Sequence, residues 1–220
     1  NQDVLDFITL LPNNYIDVYI AYRREGGGHL LPDKQQVLLI DIDDGEILLV
    51  NPASAQQVMR FTTSDEDDHI SIHDNLVNPV EIHSGAGDDR IIAGSGRYEI
   101  YAGPGDDDIT LRGGSGYSHV EGGEGNDEIN AAGFAHGSFY GGPGDDTIQG
   151  SDRTAVILGG VGNDALIGGS GNNIICAGPG DDRIQAGEGN NVIYTSEGFN
   201  QVENLKPTDT TYYNFKSELT

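Results

Sequence analysis

Six aspartates, Asp89, Asp107, Asp127, Asp146, Asp164 and Asp182, each stand two residues before a large apolar residue and close behind glycine. In order from Asp89, that position reads Asp89, Tyr98, Asp107, Ser118, Asp127, Gly137, Asp146, Ala155, Asp164, Asn173, Asp182, Asn191 and Asn200. Aspartate takes every second turn. If two such units make one coil, successive turns lie on opposite edges and the six carboxylates stack along one of them, about 4.8 Å apart. Such a column repels itself without counterions. Calcium answers the problem, because it accepts six to eight oxygen ligands in forgiving geometry. The neighbouring glycines allow positive φ and let backbone carbonyls turn inward as further ligands.

The elements that must position these groups are written in the apolar residues. Ile70, Val80, Ile91, Ile100, Ile109, Val120, Ile129, Phe139, Ile148, Ile157, Leu166, Ile175, Ile184, Ile193 and Val202 follow one another mostly at intervals of nine, with some tens and elevens. A fixed short period is the signature of a solenoid. Each unit is expected to be a turn of about six residues and a strand of about three, with facing strands meeting in a thin core. Residues 1–60 differ: they form a β-rich N-terminal segment or cap. Within them Tyr15–Tyr22 and Val37–Ile42 read as strands. Val37–Val50 reads as a hairpin turning at Asp44-Gly45, and Pro52–Phe61 as a short helix or a strand returning to the solenoid. Residues 61–203 form the solenoid. Residues 204–220 drop the repeat, and Thr210–Phe215 supplies aromatic bulk for a closing cap.

The repeat is clearest in GGPGDDTIQ (Gly141–Gln149), GGVGNDALI (Gly159–Ile167) and AGPGDDRIQ (Ala177–Gln185). These phrases resemble the nonapeptide G-G-x-G-x-D-x-U-x of the RTX (repeats-in-toxin) calcium-binding family, with U a large apolar residue. The resemblance implies an all-β, right-handed parallel β-roll. It also implies ions held between neighbouring loops on one edge, by carbonyls and aspartates of both. Carried onto this chain, the loops are Ser84–Asp89, Ala102–Asp107, Gly122–Asp127, Gly141–Asp146, Gly159–Asp164 and Ala177–Asp182. The carbonyl donors are then Gly85, Gly87, Gly103, Gly105, Gly123, Gly125, Gly142, Gly144, Gly160, Gly162, Gly178 and Gly180. Six loops enclose about five Ca2+ ions on one edge. Asp68 lies in a degenerate earlier loop without glycine, as a candidate for one site more. Asp88, Asp106, Asp145 and Asp181 are expected to face solvent and to lend only their carbonyls. On the other edge Asn173, Asn191 and Asn200 are expected to form a hydrogen-bonded ladder rather than hold an ion.

Composition narrows the partners. The 220 residues carry 36 acidic and 11 basic side chains, a formal net charge of −25, which argues against nucleic acid and anionic membranes. Of 33 glycines, 29 lie between Gly85 and Gly198. No run of about 18 apolar residues exists, so no membrane span is expected. The start NQDVLDF has neither a basic opening nor an apolar run and does not read as a signal peptide, and the lack of a starting Met suggests a fragment of a longer protein; export without a signal peptide is what the family resemblance implies. Cys176 is the sole cysteine and excludes an internal disulfide.

Other motifs weigh less. Asp41–Glu46 departs from an EF-hand loop in the position of its glycine and in the twelfth residue, Pro52. His69, His73 and His83 read as surface histidines rather than a zinc site, and no base is placed to activate Cys176. The expectation is therefore a non-catalytic calcium-binding module of a secreted bacterial protein. It would fold on meeting calcium after export and support or present an adjacent domain. The alternatives are an accessory part of a secreted enzyme or toxin (protease, lipase, epimerase or pore-forming toxin), or an adhesion module that binds a polysaccharide or protein partner.

Overall fold

The computed structural model describes residues 58–213 except 64, 73–78, 115 and 134–135, together with the backbone of six strands before residue 58. Two parallel sheets form opposite walls of a β-solenoid of about eight turns, with no helix among the described residues. The first wall stacks Val58–Thr62, Pro79–His83, Arg97–Pro104, Tyr117–Glu124, His136–Pro143, Ala155–Val161, Ile174–Cys176, Val192–Thr195 and Thr210–Tyr213. The second stacks His69–Ile72, Arg90–Ala93, Asp108–Leu111, Glu128–Asn130, Thr147–Gln149, Ala165–Ile167, Arg183–Gln185 and Gln201–Glu203.

The period produces this because strand side chains alternate in direction, so one large apolar residue per short strand is enough to line the inside of a wall. Ile70, Ile91, Ile109, Ile129, Ile148, Leu166 and Ile184 are in register along the second wall and fully buried, with Val202 half-covered at the end. Opposite them run Phe61, Ile82, Ile100, Val120, Phe139, Ile157, Ile175 and Ile193, all without exposed surface. Each such side chain contributes on the order of 1.5–3 kcal/mol by leaving water.

Two details differ from the sequence reading. Val80 is buried, but Ile82 is the residue in register with Ile100, while Val80 pairs with Tyr98. Tyr98 is itself a core side chain, 1 % exposed, not a turn residue. The walls are also unequal: central strands of the first wall run seven or eight residues and those of the second three or four. The extra length comes from the glycine turns themselves, where Gly103 pairs with Gly123 and Pro104 with Glu124.

Before residue 58, Val4–Ile8 pairs in parallel with Val58–Thr62, and Tyr15–Tyr22 in parallel with His69–Ile72. Tyr15–Tyr22 then pairs antiparallel with Gln36–Ile42, which pairs antiparallel with Glu46–Val50. The two strands and the hairpin expected there are present; the Asp44-Gly45 turn lies outside the described residues. Of the two options for Pro52–Phe61, a strand is found from Val58 on, as Val58–Thr62, while residues 52–57 lie outside the described residues. At the far end Thr210–Tyr213 adds a rung to the first wall, while Asn214 and Phe215 lie outside the described residues.

Candidate metal centre

All the expected calcium loops fall on one edge, where strands of the first wall hand over to strands of the second. The twelve glycines named as carbonyl donors all have positive φ. Gly144 shows why the residue type is required. Its φ is +145°, and a Cβ there would sit 1.8 Å from the carbonyl oxygen of Gly125 in the loop before. A side chain is therefore excluded both by conformation and by the close stacking of backbone on backbone. The same contact repeats from Gly142 onto the Gly123 carbonyl, at 1.9 Å.

Within that stack the aspartates form a continuous ladder. The backbone N–H of Asp68 donates to Oδ1 of Asp89, that of Asp89 to Asp107, and so on through Asp127, Asp146, Asp164 and Asp182 to Asn200, at 2.8–3.0 Å. The aspartates are 1–2 % exposed. Only one oxygen of each is used: Oδ2 of Asp89, Asp107, Asp127, Asp146, Asp164 and Asp182 is buried with no hydrogen-bond partner. In three loops it points to the space left by the first glycine, since a Cβ on Gly122, Gly141 or Gly159 would lie 2.1–2.2 Å from Oδ2 of Asp127, Asp146 or Asp164; in the other three that first residue is Ser84, Ala102 or Ala177.

A buried, half-satisfied carboxylate is costly to ionise. Desolvation, reinforced by the charges of neighbouring aspartates, pushes Asp107, Asp127 and Asp164 up to about 7 and Asp89 to about 6. Asp146 and Asp182 are raised for the same first cause. Six such oxygens in a row form a column of buried acceptors with no donor.

The opposite edge supplies the contrast. In the loop 168–173 the residue matching Asp164 is Asn173, 1 % exposed. A Cβ on Gly168 would meet its Nδ2 at 3.0 Å, so Nδ2 sits where Oδ2 sits in the aspartate loops. That nitrogen donates to the carbonyls of Gly171 at 2.9 Å and Gly169 at 3.4 Å, and to Oδ1 of Asn191 at 3.0 Å. An amide hydrogen thus holds the loop carbonyls that an aspartate, with no hydrogen to give, cannot. The expected ladder is present for Asn173 and Asn191, but its next member is Asp209, whose Oδ1 accepts the Asn191 N–H at 2.8 Å. Asn200 instead ends the aspartate column. Asp209 escaped the sequence reading because no glycine precedes it.

The residues preceding the inner-column aspartates are exposed, as expected, yet their side chains are engaged. Oδ1 of Asp67, Asp88, Asp106, Asn126, Asp145, Asn163 and Asp181 each accepts the backbone N–H one coil on, at 2.7–2.9 Å. This second, outer ladder corrects the assignment of a carbonyl role alone. Asn126 and Asn163 take two of the seven places in this column and lower the charge that a pure Asp column would build.

Asp68 is 2 % exposed at the head of the inner column. Its loop stacks like the others, for a Cβ on Gly87 would meet the Glu66 carbonyl oxygen at 2.9 Å. The histidines lie elsewhere: His83 contacts Glu81 Oε1 at 2.7 Å and stacks on Tyr101, while His73 lies outside the described residues.

No three His, Cys, Asp or Glu side chains converge on a point among the described residues. Any ion must therefore combine one carboxylate per coil with backbone carbonyls. That all-oxygen donor set, spread over flexible glycine turns, fits calcium and not zinc. Four copies of the RTX calcium-binding nonapeptide repeat match, at residues 83–110, 101–135, 140–175 and 167–202. The chain belongs to the RTX calcium-binding repeat family. No curated protein and no solved structure matches it. As an RTX repeat chain it is a calcium-binding module, of a kind typical of secreted bacterial proteins. No helix among the described residues is long and apolar enough to cross a membrane.

Proposed function

We propose that this RTX module is a calcium-triggered folding unit without catalysis of its own, which orders after export and then supports or presents an adjacent domain. The buried Oδ2 atoms of the six aspartates carry this reading. Without cations they either ionise against desolvation and mutual repulsion or stay protonated, so the compact roll is disfavoured near neutral pH. With calcium each oxygen gains a ligand bond and the column becomes a staple. About five ions fit between the six aspartate loops. Asp68 and its loop would add one more, with Asp68 and Asp89 as the carboxylates. If each site has a dissociation constant near 0.1 mM, about 1 mM calcium adds roughly 1.4 kcal/mol per site and about 7 in total. That equals the whole stability of many domains. A chain that stays loose in low-calcium cytosol and folds outside suits passage through an export channel. Isothermal titration calorimetry of the chain with CaCl2 counts the ions. Five or six per chain agrees with the reading, and one or none contradicts it.

A further inference from the structure

A groove crosses the first wall at its early rungs and encloses a cavity of about 140 Å3. The register places Pro79 beside Arg97 in one column, and Glu81, Glu99 and His119 in the next. Tyr117 stands two residues before His119, as Arg97 stands two before Glu99, and all six line the cavity. Most of the polar groups there are already used. Glu81 accepts from Arg60 Nη2 at 2.8 Å and contacts His83 Nε2 at 2.7 Å, and His119 Nε2 contacts Glu121 at 2.8 Å. The Tyr117 hydroxyl is bonded to Ser138 Oγ, which anchors the ring beside the groove. Arg97 and Glu99 are different. They project from the same side of one strand, their Cα atoms about 7 Å apart, yet neither makes a hydrogen bond or ion pair among the described residues, with the other or with any neighbour.

We infer that this groove binds a neutral, hydroxyl-rich ring, one pyranose residue at the end of a saccharide. Size sets the first limit. Drug-sized ligands occupy about 300–1,000 Å3, so this cavity admits a single ring. Hydrogen bonding sets the second. Arg97 offers only donors and an ionised Glu99 only acceptors. Neighbouring hydroxyls answer both, because each can give or take a hydrogen bond and none carries a charge. Val58, Pro79 and the Tyr117 ring supply apolar surface for the C–H face of the sugar. Charge sets the third. Arg60 and Arg97 stand against Glu81, Glu99 and Glu121, which leaves the patch near balance on a chain of net charge −25. An anion is repelled by the chain as a whole, and a cation meets the unpaired guanidinium of Arg97.

The test is an amide-resolved NMR titration of the full chain in saturating calcium, with circular dichroism on the same samples. The probes are the methyl pyranosides of glucose, galactose, mannose and N-acetylglucosamine, taken to about 50 mM because so small a ligand binds in the millimolar range. At least one should give saturable shifts centred on the amides of Arg97, Glu99 and Tyr117. Binding should weaken about tenfold or more in Glu99→Ala and in Arg97→Ala, and stay unchanged in Gln185→Ala on the second wall. Neither groove side chain has a partner to lose, so both variants keep the fold. No saturable shift from any of the four overturns the inference, as does binding that survives both groove substitutions. A response to galacturonate or to oligolysine but to no neutral ring overturns it too. A chain already β-rich without calcium contradicts the folding reading and leaves this test intact, whereas one without β-structure in calcium has no groove and sinks both.

Discussion

The backbone N–H of Asp146 donates to Oδ1 of Asp164, one coil further on, at 2.9 Å, while Oδ2 of the same carboxylate is buried with no partner. One oxygen builds the fold, and under the proposed calcium-triggered folding the other takes the ion. Both tasks then fall on one side chain, and folding and calcium binding are coupled at this edge.

Substitution can nonetheless pull them apart. Asp164→Asn keeps Oδ1 and places an N–H2 where Asn173 places its own, so it should hold the loop carbonyls without metal. The expected outcome is a calcium response weakened by on the order of tenfold or more, with a metal-free state stabilised by about 1 kcal/mol. Asp164→Ala should lose the calcium response and gain nothing. Calcium titrations and urea melts of the three proteins distinguish these results.

The opposite edge should be insensitive to metal. Ser118 is fully buried and its Oγ accepts the Tyr98 N–H at 3.0 Å. Ser118→Ala should cost about 1–2 kcal/mol at every calcium concentration, with the ion count by calorimetry unchanged.

Glycine substitutions should divide by what lies above them. Gly144→Ala drives a Cβ against the Gly125 carbonyl and should cost about 3 kcal/mol or more, abolishing calcium-induced folding. Gly133 also has positive φ, +84°, but nothing lies within 4 Å of its Cβ position. Gly133→Ala should cost only about 1 kcal/mol in the same melts.

Acid should act oppositely on the two states. Asp107, Asp127 and Asp164 are raised to about 7 and Asp89 to about 6 from an ordinary value of 3.8. A raised carboxylate contributes stability to the metal-free roll that is complete below the ordinary value and is lost as pH rises through the folded-state value. The metal-free chain should therefore gain β-structure on acidification. Calcium needs the ionised form, so its affinity should fall as pH drops below about 7, with protons released on binding. Calorimetry in buffers of different ionisation enthalpy measures that release.

Most of the roll was legible because a short period forces one apolar residue per rung into the core, and Asp recurring on alternate turns fixes the charged edge. Spacing could not choose between Val80 and Ile82, since both are apolar and both are buried. Asn200 was placed on the wrong edge although the alternation itself puts it below Asp182. The outer ladder through Asp88 and Asn126 left no mark in the pattern: exposed acids look alike whether or not they accept a backbone N–H. The long strands of the first wall were hidden because Gly-Gly-x reads as a turn, yet stacked glycine turns pair as a ladder.

The central claim is that calcium and fold are one equilibrium. Far-UV circular dichroism of the metal-free chain at neutral pH, titrated with CaCl2 to several millimolar, tests it most directly. A cooperative gain of β-structure, reversed by chelator, is the predicted result; a spectrum already β-rich without calcium, or one that calcium leaves unchanged, would contradict it.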